Sequence, residues 1–258
     1  MKHISPGVFL AAAIAALAGH TVIAADRLTD SDVKALVARI DEGRGHFEDA
    51  LDDKLKHNIL KGPSGEVDVE RVLDDFQRNI DLLDDRMKPG YAASNEVATL
   101  LRQSSSIDRF FRQQPPGTKG GSEWNRLATD LKALAAAYGT EFPLPDNASV
   151  RRMGDGELTA ALGEFAHGAD DLKKSLDADL RKDVDQLAKD AKALGNLIKN
   201  GKPSSGEAGA LLARATRMQG VLNSRPVPAS VSIWNDMTPR LQLVATAYGI
   251  SWPSSLTL

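Results

Sequence analysis

One stretch of the chain occurs twice, and this internal repeat restricts the fold more than any other feature of the sequence. Each copy begins with Trp-Asn and ends with Ala-Tyr-Gly, at residues 124–139 and 234–249. Apolar residues within each copy are three and four positions apart, which places them on one face of a helix. The residues that anchor the repeat are Trp124, Tyr138, Gly139, Trp234, Tyr248 and Gly249. A repeat of this length predicts a duplicated folding unit.

Three further stretches recur with the same helical spacing of apolar residues. The first predicted helix extends through Leu55, and its counterpart extends through Leu180. Both carry a glycine at the same position of the apolar face, Gly43 and Gly168. Because glycine inside a helix costs about 0.5–1 kcal/mol relative to alanine, its reuse predicts a close crossing of two helices. Only the first copy has the glycine-proline loop at residues 61–65.

The composition favours helices over sheet, since aromatic residues make up only 5% of the chain and β-branched runs are short. Each copy supplies four amphipathic helices with short connections, which predicts an antiparallel four-helix bundle. We expect an all-α tandem duplication, with the first bundle at residues 26–145 and the second at residues 149–258. Pro239 falls one turn into the last predicted helix. Either Thr238 caps a helix that starts there, after a separate turn, or the helix kinks at the proline.

Residues 1–25 have the pattern of a signal peptide that precedes the first bundle. A short positive start is followed by an apolar run at residues 8–18 and by small residues before a cleavage site after Ala24 or Ala25. The alternative is a membrane anchor, but the run is shorter than the ~20 residues needed to span a bilayer. We therefore expect a protein that is exported to the periplasm or out of the cell, with no membrane span after cleavage.

No catalytic or cofactor-binding motif is recognisable. The chain has no cysteine, no Gly-x-Ser-x-Gly sequence and no phosphate-binding P-loop. The group that most resembles a metal site is Glu42 and His46, one helical turn apart, with Asp49 close to the same face. Charged residues at this spacing usually form a solvated face, so we expect no metal site and no cofactor. The glycine-rich loop at residues 117–121 could hold a phosphate at the following helix start, although a connector is the better interpretation.

The repeated tryptophan and tyrosine residues could form a ligand platform or fill the core, and their place on the apolar face favours the core. The net charge of −3 and the lack of a basic stripe argue against a nucleic-acid partner. We predict a non-enzymatic interaction module that presents helix faces, or the cleft between the bundles, to another protein or an envelope component. The alternative is a small-molecule or metal-binding bundle protein, with its site inside a bundle or near residues 142–150.

Overall fold

The computed structural model describes residues 27–57, 59–62, 65–88 and 91–252, and within these ranges the protein is all-helical apart from one two-stranded hairpin. The predicted signal peptide lies outside the described residues. None of the described helices is long and apolar enough to cross a membrane. In chain order the elements are α1 (Asp30–Ala50), α2 (Asp53–Lys56), β1 (Ile59–Gly62), β2 (Gly65–Asp68), α3 (Val69–Arg86), α4 (Ser94–Arg112), α5 (Gly121–Ala137), α6 (Asp155–Leu172), a 3₁₀ turn (Lys173–Ser175), α7 (Ala178–Lys199), α8 (Ser205–Ser224) and α9 (Pro228–Ala247).

The start of α1 is fixed by a reciprocal cap between Thr29 and Asp32. The Thr29 hydroxyl accepts a hydrogen bond from the Asp32 backbone N–H at 3.1 Å, and the Asp32 carboxylate accepts one from the Thr29 backbone N–H at 2.9 Å. The pair satisfies two N–H groups that a helix start otherwise leaves unpaired. The hydrogen bond from the Thr29 backbone lowers the pKa of Asp32. This cap also holds the residues just before α1 in place.

The long helices pack in two groups of four. Helix group 1 consists of α1, α3, α4 and α5, in which α1 and α4 each pack against both α3 and α5. Helix group 2 consists of α6, α7, α8 and α9, in which α6 and α8 each pack against both α7 and α9. Each group buries its own apolar core, which includes Trp124 in group 1 and Trp234 in group 2. Every helix of group 1 therefore has a counterpart in group 2 with corresponding neighbours.

The predicted close helix crossings are confirmed at both repeated glycines. A Cβ atom at Gly43 of α1 would lie 3.3 Å from Leu127 Cδ1 of α5. A Cβ atom at Gly168 of α6 would lie 2.7 Å from Met237 Cγ of α9. Interatomic distances below about 3.5 Å between carbon atoms are repulsive, so a larger residue would require the facing side chain to move. At Gly168 the obstacle is the inner part of the Met237 side chain, whereas at Gly43 it is the end of the Leu127 side chain.

The first predicted helix of each repeat is too long. In group 1 the helix stops at Ala50 and the backbone turns at Leu51 before the short α2, so the run predicted through Leu55 is interrupted. In group 2 the helix stops at Leu172, and the run predicted through Leu180 is divided between the 3₁₀ turn and the start of α7. The Ser175 hydroxyl donates to the Leu172 carbonyl at 2.8 Å, which satisfies a carbonyl that the helix end leaves free.

Two further details differ from the sequence prediction. The residues on either side of positions 63 and 64 form an antiparallel hairpin, in which Ile59 pairs with Asp68 and Gly62 with Gly65. The last helix is continuous from Pro228 to Ala247 and includes Pro239, so of the two alternatives the separate turn before Thr238 is wrong and the helix runs through the proline. The Thr238 hydroxyl donates to the Trp234 carbonyl at 2.9 Å inside this helix. Burial of the apolar face of α9 on both sides of the proline outweighs the loss of one backbone hydrogen bond.

Candidate functional site

Four charged side chains join the two helix groups, and we call them the clasp: Arg27, Asp30, Arg152 and Asp155. Arg27 forms an ion pair with Asp155, and Arg152 forms one with Asp30. The Asp30 backbone N–H also donates to the Asp155 carboxylate at 2.8 Å, and the Asp155 backbone N–H donates to the Asp30 carboxylate at 3.0 Å. These residues are the first of α1 and of α6. Each helix start is therefore capped by a carboxylate from the other group.

The two arginines of the clasp are largely removed from solvent, while the side chains of Asp155 and Asp30 are 18% and 32% exposed. The side chain of Arg27 is 9% exposed and that of Arg152 only 4%. Each guanidinium also donates to a backbone carbonyl across the junction, from Arg27 to Met153 at 2.6 Å and from Arg152 to Leu28 at 2.8 Å. Removal of one partner from a buried ion pair costs about 3–5 kcal/mol, because the other charge is left buried and unpaired. The clasp therefore connects the two helix groups by ion pairs and hydrogen bonds that are costly to break singly.

The connection between α5 and α6 is bound to helix group 1. The Arg151 backbone N–H donates to the Tyr138 carbonyl at 3.1 Å. The Arg152 backbone N–H donates to the Ser94 hydroxyl at 3.3 Å. These two bonds place the Arg152 side chain at the junction, where it reaches the start of α1.

A groove of about 600 Å³ lies over the clasp, with walls from both helix groups. Helix group 1 contributes Lys34 of α1 and the segment after α3, which includes Lys88 and Tyr91. Helix group 2 contributes Thr159 of α6 and Lys199 at the end of α7. Ligand sites of proteins are commonly of this size and commonly lie where two packed units meet. Three clasp residues, Asp30, Arg152 and Asp155, form part of the groove wall.

The groove lining carries more positive than negative charge, because Lys34, Lys88, Lys199 and Arg152 outnumber Asp30 and Asp155. One further carboxylate lies beside the groove, that of Glu96, which accepts a hydrogen bond from the Tyr91 hydroxyl at 3.2 Å. Lys34 lies 3.7 Å from the Asp84 carboxylate, and both side chains are more than half exposed. Lys88 and Lys199 are exposed and form no ion pair with any residue of the described ranges. The Tyr91 side chain is 46% exposed, an unusual degree for a large ring in the described part of this chain. Two unpaired lysines and one exposed aromatic ring thus border the same opening.

The repeated tryptophans are buried in the two cores, and neither of them lines the groove. Trp124 is 1% exposed, and its indole N–H donates to the buried Asp108 carboxylate at 3.1 Å. Trp234 is fully buried, and its indole N–H has no hydrogen-bond partner among the described residues. The two residues therefore fill equivalent places in the cores but differ in their polar contacts.

The repeated tyrosines and glycines lie at the ends of α5 and α9. The Tyr138 hydroxyl donates to the Ala92 carbonyl at 2.6 Å, and burial raises the pKa of Tyr138 to about 12. The Tyr248 hydroxyl lies 2.7 Å from the Ser204 hydroxyl, and burial raises its pKa as well. Gly139 and Gly249 follow with φ of 66° and 62°, the left-handed conformation that ends a helix and that glycine adopts without strain.

The residues proposed as the nearest approach to a metal site lie on the exposed face of α1. His46 Nε2 is 3.7 Å from Glu42 Oε1, and the two side chains are 69% and 74% exposed. Asp49, on the same helix, is also exposed. Within the described ranges, no group of three or more His, Asp or Glu side chains is placed to hold a metal ion.

The glycine-rich connection before α5 borders a second surface cavity, of about 890 Å³. Gly117 and Gly120 have φ of 87° and 81°, which explains why glycine occupies both positions. A Cβ atom at Gly120 would lie 2.8 Å from Leu51 Cδ2, so this loop packs tightly against the end of α1. The loop therefore has a structural reason for its glycines without any bound phosphate.

Sequence reasoning did not single out the clasp. The signal was present, because Arg-x-x-Asp occurs at residues 27–30 and again at residues 152–155. The offset is the same 125 residues that relates the first helices of the two repeats. A search of the repeat for charged residues at equal positions would have found all four.

Comparison with known proteins gives no relative. The sequence matches no protein-family model, and no curated protein and no solved structure is significantly similar to it.

Proposed function

We propose that this protein is an exported, non-enzymatic interaction module that binds an acidic partner protein in the junction groove. In this proposal the signal peptide at residues 1–25 is removed on export, and the mature chain is a tandem duplication of an antiparallel four-helix bundle. The groove between the two bundles is the binding surface. The observation that carries the proposal is the combination of Tyr91, Lys88 and Lys199 at one opening between two helix groups that the clasp connects.

Corresponding contacts in the two helix groups support the duplication. The four helices of each group have matching neighbours, and the glycine contacts at α1–α5 and α6–α9 involve equivalent positions. The clasp residues are equivalent as well. The recurrence of helix order, a glycine at a helix contact and an Arg-x-x-Asp sequence at matching places supports duplication over chance.

The charge and the exposed ring support a protein partner. Tyrosine is enriched in the centre of protein interfaces because it offers a large apolar surface with one polar end. Unpaired lysines around it attract acidic partners and speed association. Lys88 and Lys199 come from different helix groups, so a partner that contacts both spans the junction.

Capture from envelope or extracellular extracts tests the proposal. We would immobilise the mature wild-type chain, the groove variant K88E/K199E and the control variant K182E/K189E. The control makes the same charge change at exposed lysines of α7 outside the groove. We expect a specific protein to be retained by the wild type and the control but at least tenfold less by the groove variant. Equal retention by all three chains would contradict binding in the groove.

A small anionic ligand in the same groove is a second candidate function. Its support is the volume of about 600 Å³, which lies in the range of ~300–1,000 Å³ found for small-molecule sites. A thermal melt of the mature chain against anionic metabolites and divalent metals would separate the two functions. A ligand at a hundredfold excess over its Kd stabilises the folded chain by about 2.7 kcal/mol. A shift that disappears in K88E/K199E would favour the small ligand over the interaction module.

A further inference from the structure

The contacts of the clasp follow a two-fold pattern. Each contact made by the segment at residues 27–30 toward the segment at residues 152–155 has a counterpart with the roles exchanged. The ion pairs are Arg27 with Asp155 and Arg152 with Asp30. The backbone caps run from the Asp30 N–H to Asp155 and from the Asp155 N–H to Asp30.

The arginine contacts to the backbone obey the same rule. Arg27 donates to the Met153 carbonyl and Arg152 to the Leu28 carbonyl, and Leu28 and Met153 follow the two arginines directly in the sequence. An interface in which residue i contacts j and j contacts i is the kind that joins the identical subunits of a two-fold homodimer. Here it joins the two halves of one chain.

We infer that each clasp segment is self-complementary and can pair with a copy of itself, so that the partner this surface fits is a second copy of this chain. In the wild-type chain the other half occupies the surface, because a short covalent connection gives that half a high effective concentration. Pairing with another chain becomes visible only when pairing within the chain is made unfavourable.

Charge reversal in one half would produce this condition. In R27D/D30R, an aspartate at position 27 would face Asp155, and an arginine at position 30 would face Arg152. Both contacts within the chain would then be repulsive. Two copies of this variant could pair differently. The reversed segment at residues 27–30 of one copy would meet opposite charges on the reversed segment of the other copy. The unchanged segment at residues 152–155 would likewise meet opposite charges on the unchanged segment of the other copy. Self-complementarity therefore predicts that the repulsive variant dimerises.

Two variants serve as controls. The quadruple variant R27D/D30R/R152D/D155R restores opposite charges within the chain, so it should behave as the wild type does in mass. It restores the ion pairs but not the backbone caps, and for this reason the comparison uses mass and not stability. The variant D171K/K174D exchanges the charges of an exposed pair on helix group 2. It should leave the mass unchanged.

The measurement is light scattering after size-exclusion chromatography over a range of protein concentrations, at low salt because charge pairing is screened at high ionic strength. We expect R27D/D30R, and likewise R152D/D155R, to have a dimer dissociation constant at least tenfold lower than the wild type and both controls. Masses equal to the wild type in both double variants would overturn the inference. Loss of helical circular dichroism in both would also overturn it, because self-complementary segments would supply each half with a partner.

Discussion

Substitution of Gly168 by alanine tests the close contact of α6 and α9 quantitatively. The added Cβ atom would lie 2.7 Å from Met237 Cγ and 3.2 Å from its Sδ. Alanine gains about 0.5–1 kcal/mol over glycine inside a helix, while an extra methyl group in a filled core costs about 1–3 kcal/mol. The second effect is larger, because Met237 is buried and its Cγ atom cannot move far without moving the helix. We expect a net destabilisation of about 0.5–2 kcal/mol.

Two other glycines provide matched controls. Gly163 is on the same helix and exposed, and a Cβ atom there would meet nothing within 4 Å. Gly163→Ala should therefore stabilise the chain by about 0.5–1 kcal/mol. Gly43 is the equivalent of Gly168 in helix group 1, but its nearest contact is the end of the Leu127 side chain at 3.3 Å. Gly43→Ala should lie between the other two variants.

Urea unfolding followed by far-UV circular dichroism gives the free energies of unfolding. In a Met237→Ala background the crowding is removed, so Gly168→Ala should become neutral or stabilising there, and the double-mutant cycle measures the contact itself. The reasoning would be refuted if Gly168→Ala were as stable as Gly163→Ala in the wild-type background.

Three further predictions concern single polar groups. Burial raises the pKa of Tyr138 from 10.0 to about 12. The stabilisation by the protonated Tyr138 hydroxyl is complete below the pKa of the unfolded chain and is lost as pH rises through the pKa of the folded chain. Urea titrations should therefore show a loss of up to about 2.7 kcal/mol in the free energy of unfolding over this pH interval. The loss should be much smaller in Tyr138→Phe. Trp124→Phe should cost about 1–2 kcal/mol more than Trp234→Phe in the same assay, because only Trp124 donates to a buried carboxylate, that of Asp108. Because the pKa of Asp32 is lowered in the folded chain, its carboxylate stabilises the fold at pH values above the usual carboxyl pKa, and this contribution is lost as the pH falls. Below pH ~4, Asp32→Ala should therefore lose less stability than the wild type does.

For each of these three predictions, one experimental result would contradict the physical cause that we assign. An alkaline dependence of equal size in Tyr138→Phe would mean that another group controls unfolding at high pH. Equal costs for the two tryptophan variants would mean that the indole N–H of Trp124 contributes nothing net. An unchanged acid dependence in Asp32→Ala would place the sensitive carboxylates elsewhere, for example in the clasp.

The positions of the helices could be read from the sequence, but some of their ends could not. Apolar spacing identifies a helical face, and it continues across residues 51–55 and 173–180, where the backbone in fact turns. Periodicity records which side chains face a core, and it does not record whether backbone hydrogen bonds continue between them. Thr29 is different, because a cap residue carries its own local signal.

The candidate site was harder to foresee than the fold. The sequence points to the junction between the repeats as a place for a ligand, but Arg27 and Asp155 lie 128 residues apart, and the repeated Arg-x-x-Asp sequence does not show that the two copies pair with each other. The lysines of the groove come from different helix groups and resemble any other exposed lysine in the sequence. Only their arrangement around one opening gives them a possible common role.

The sequence by itself determined the helical faces, the repeated glycines of the crossings and the tryptophans of the two cores, because each depends on spacing along one helix and on residue size. The tertiary structure decided how the two helix groups meet. That contact depends on a few charged groups far apart in the chain, whose pairing offsets the cost of removing them from water only when their geometry and additional hydrogen bonds are favourable. The clasp, the groove above it and the unlike partners of Trp124 and Trp234 all follow from that three-dimensional arrangement.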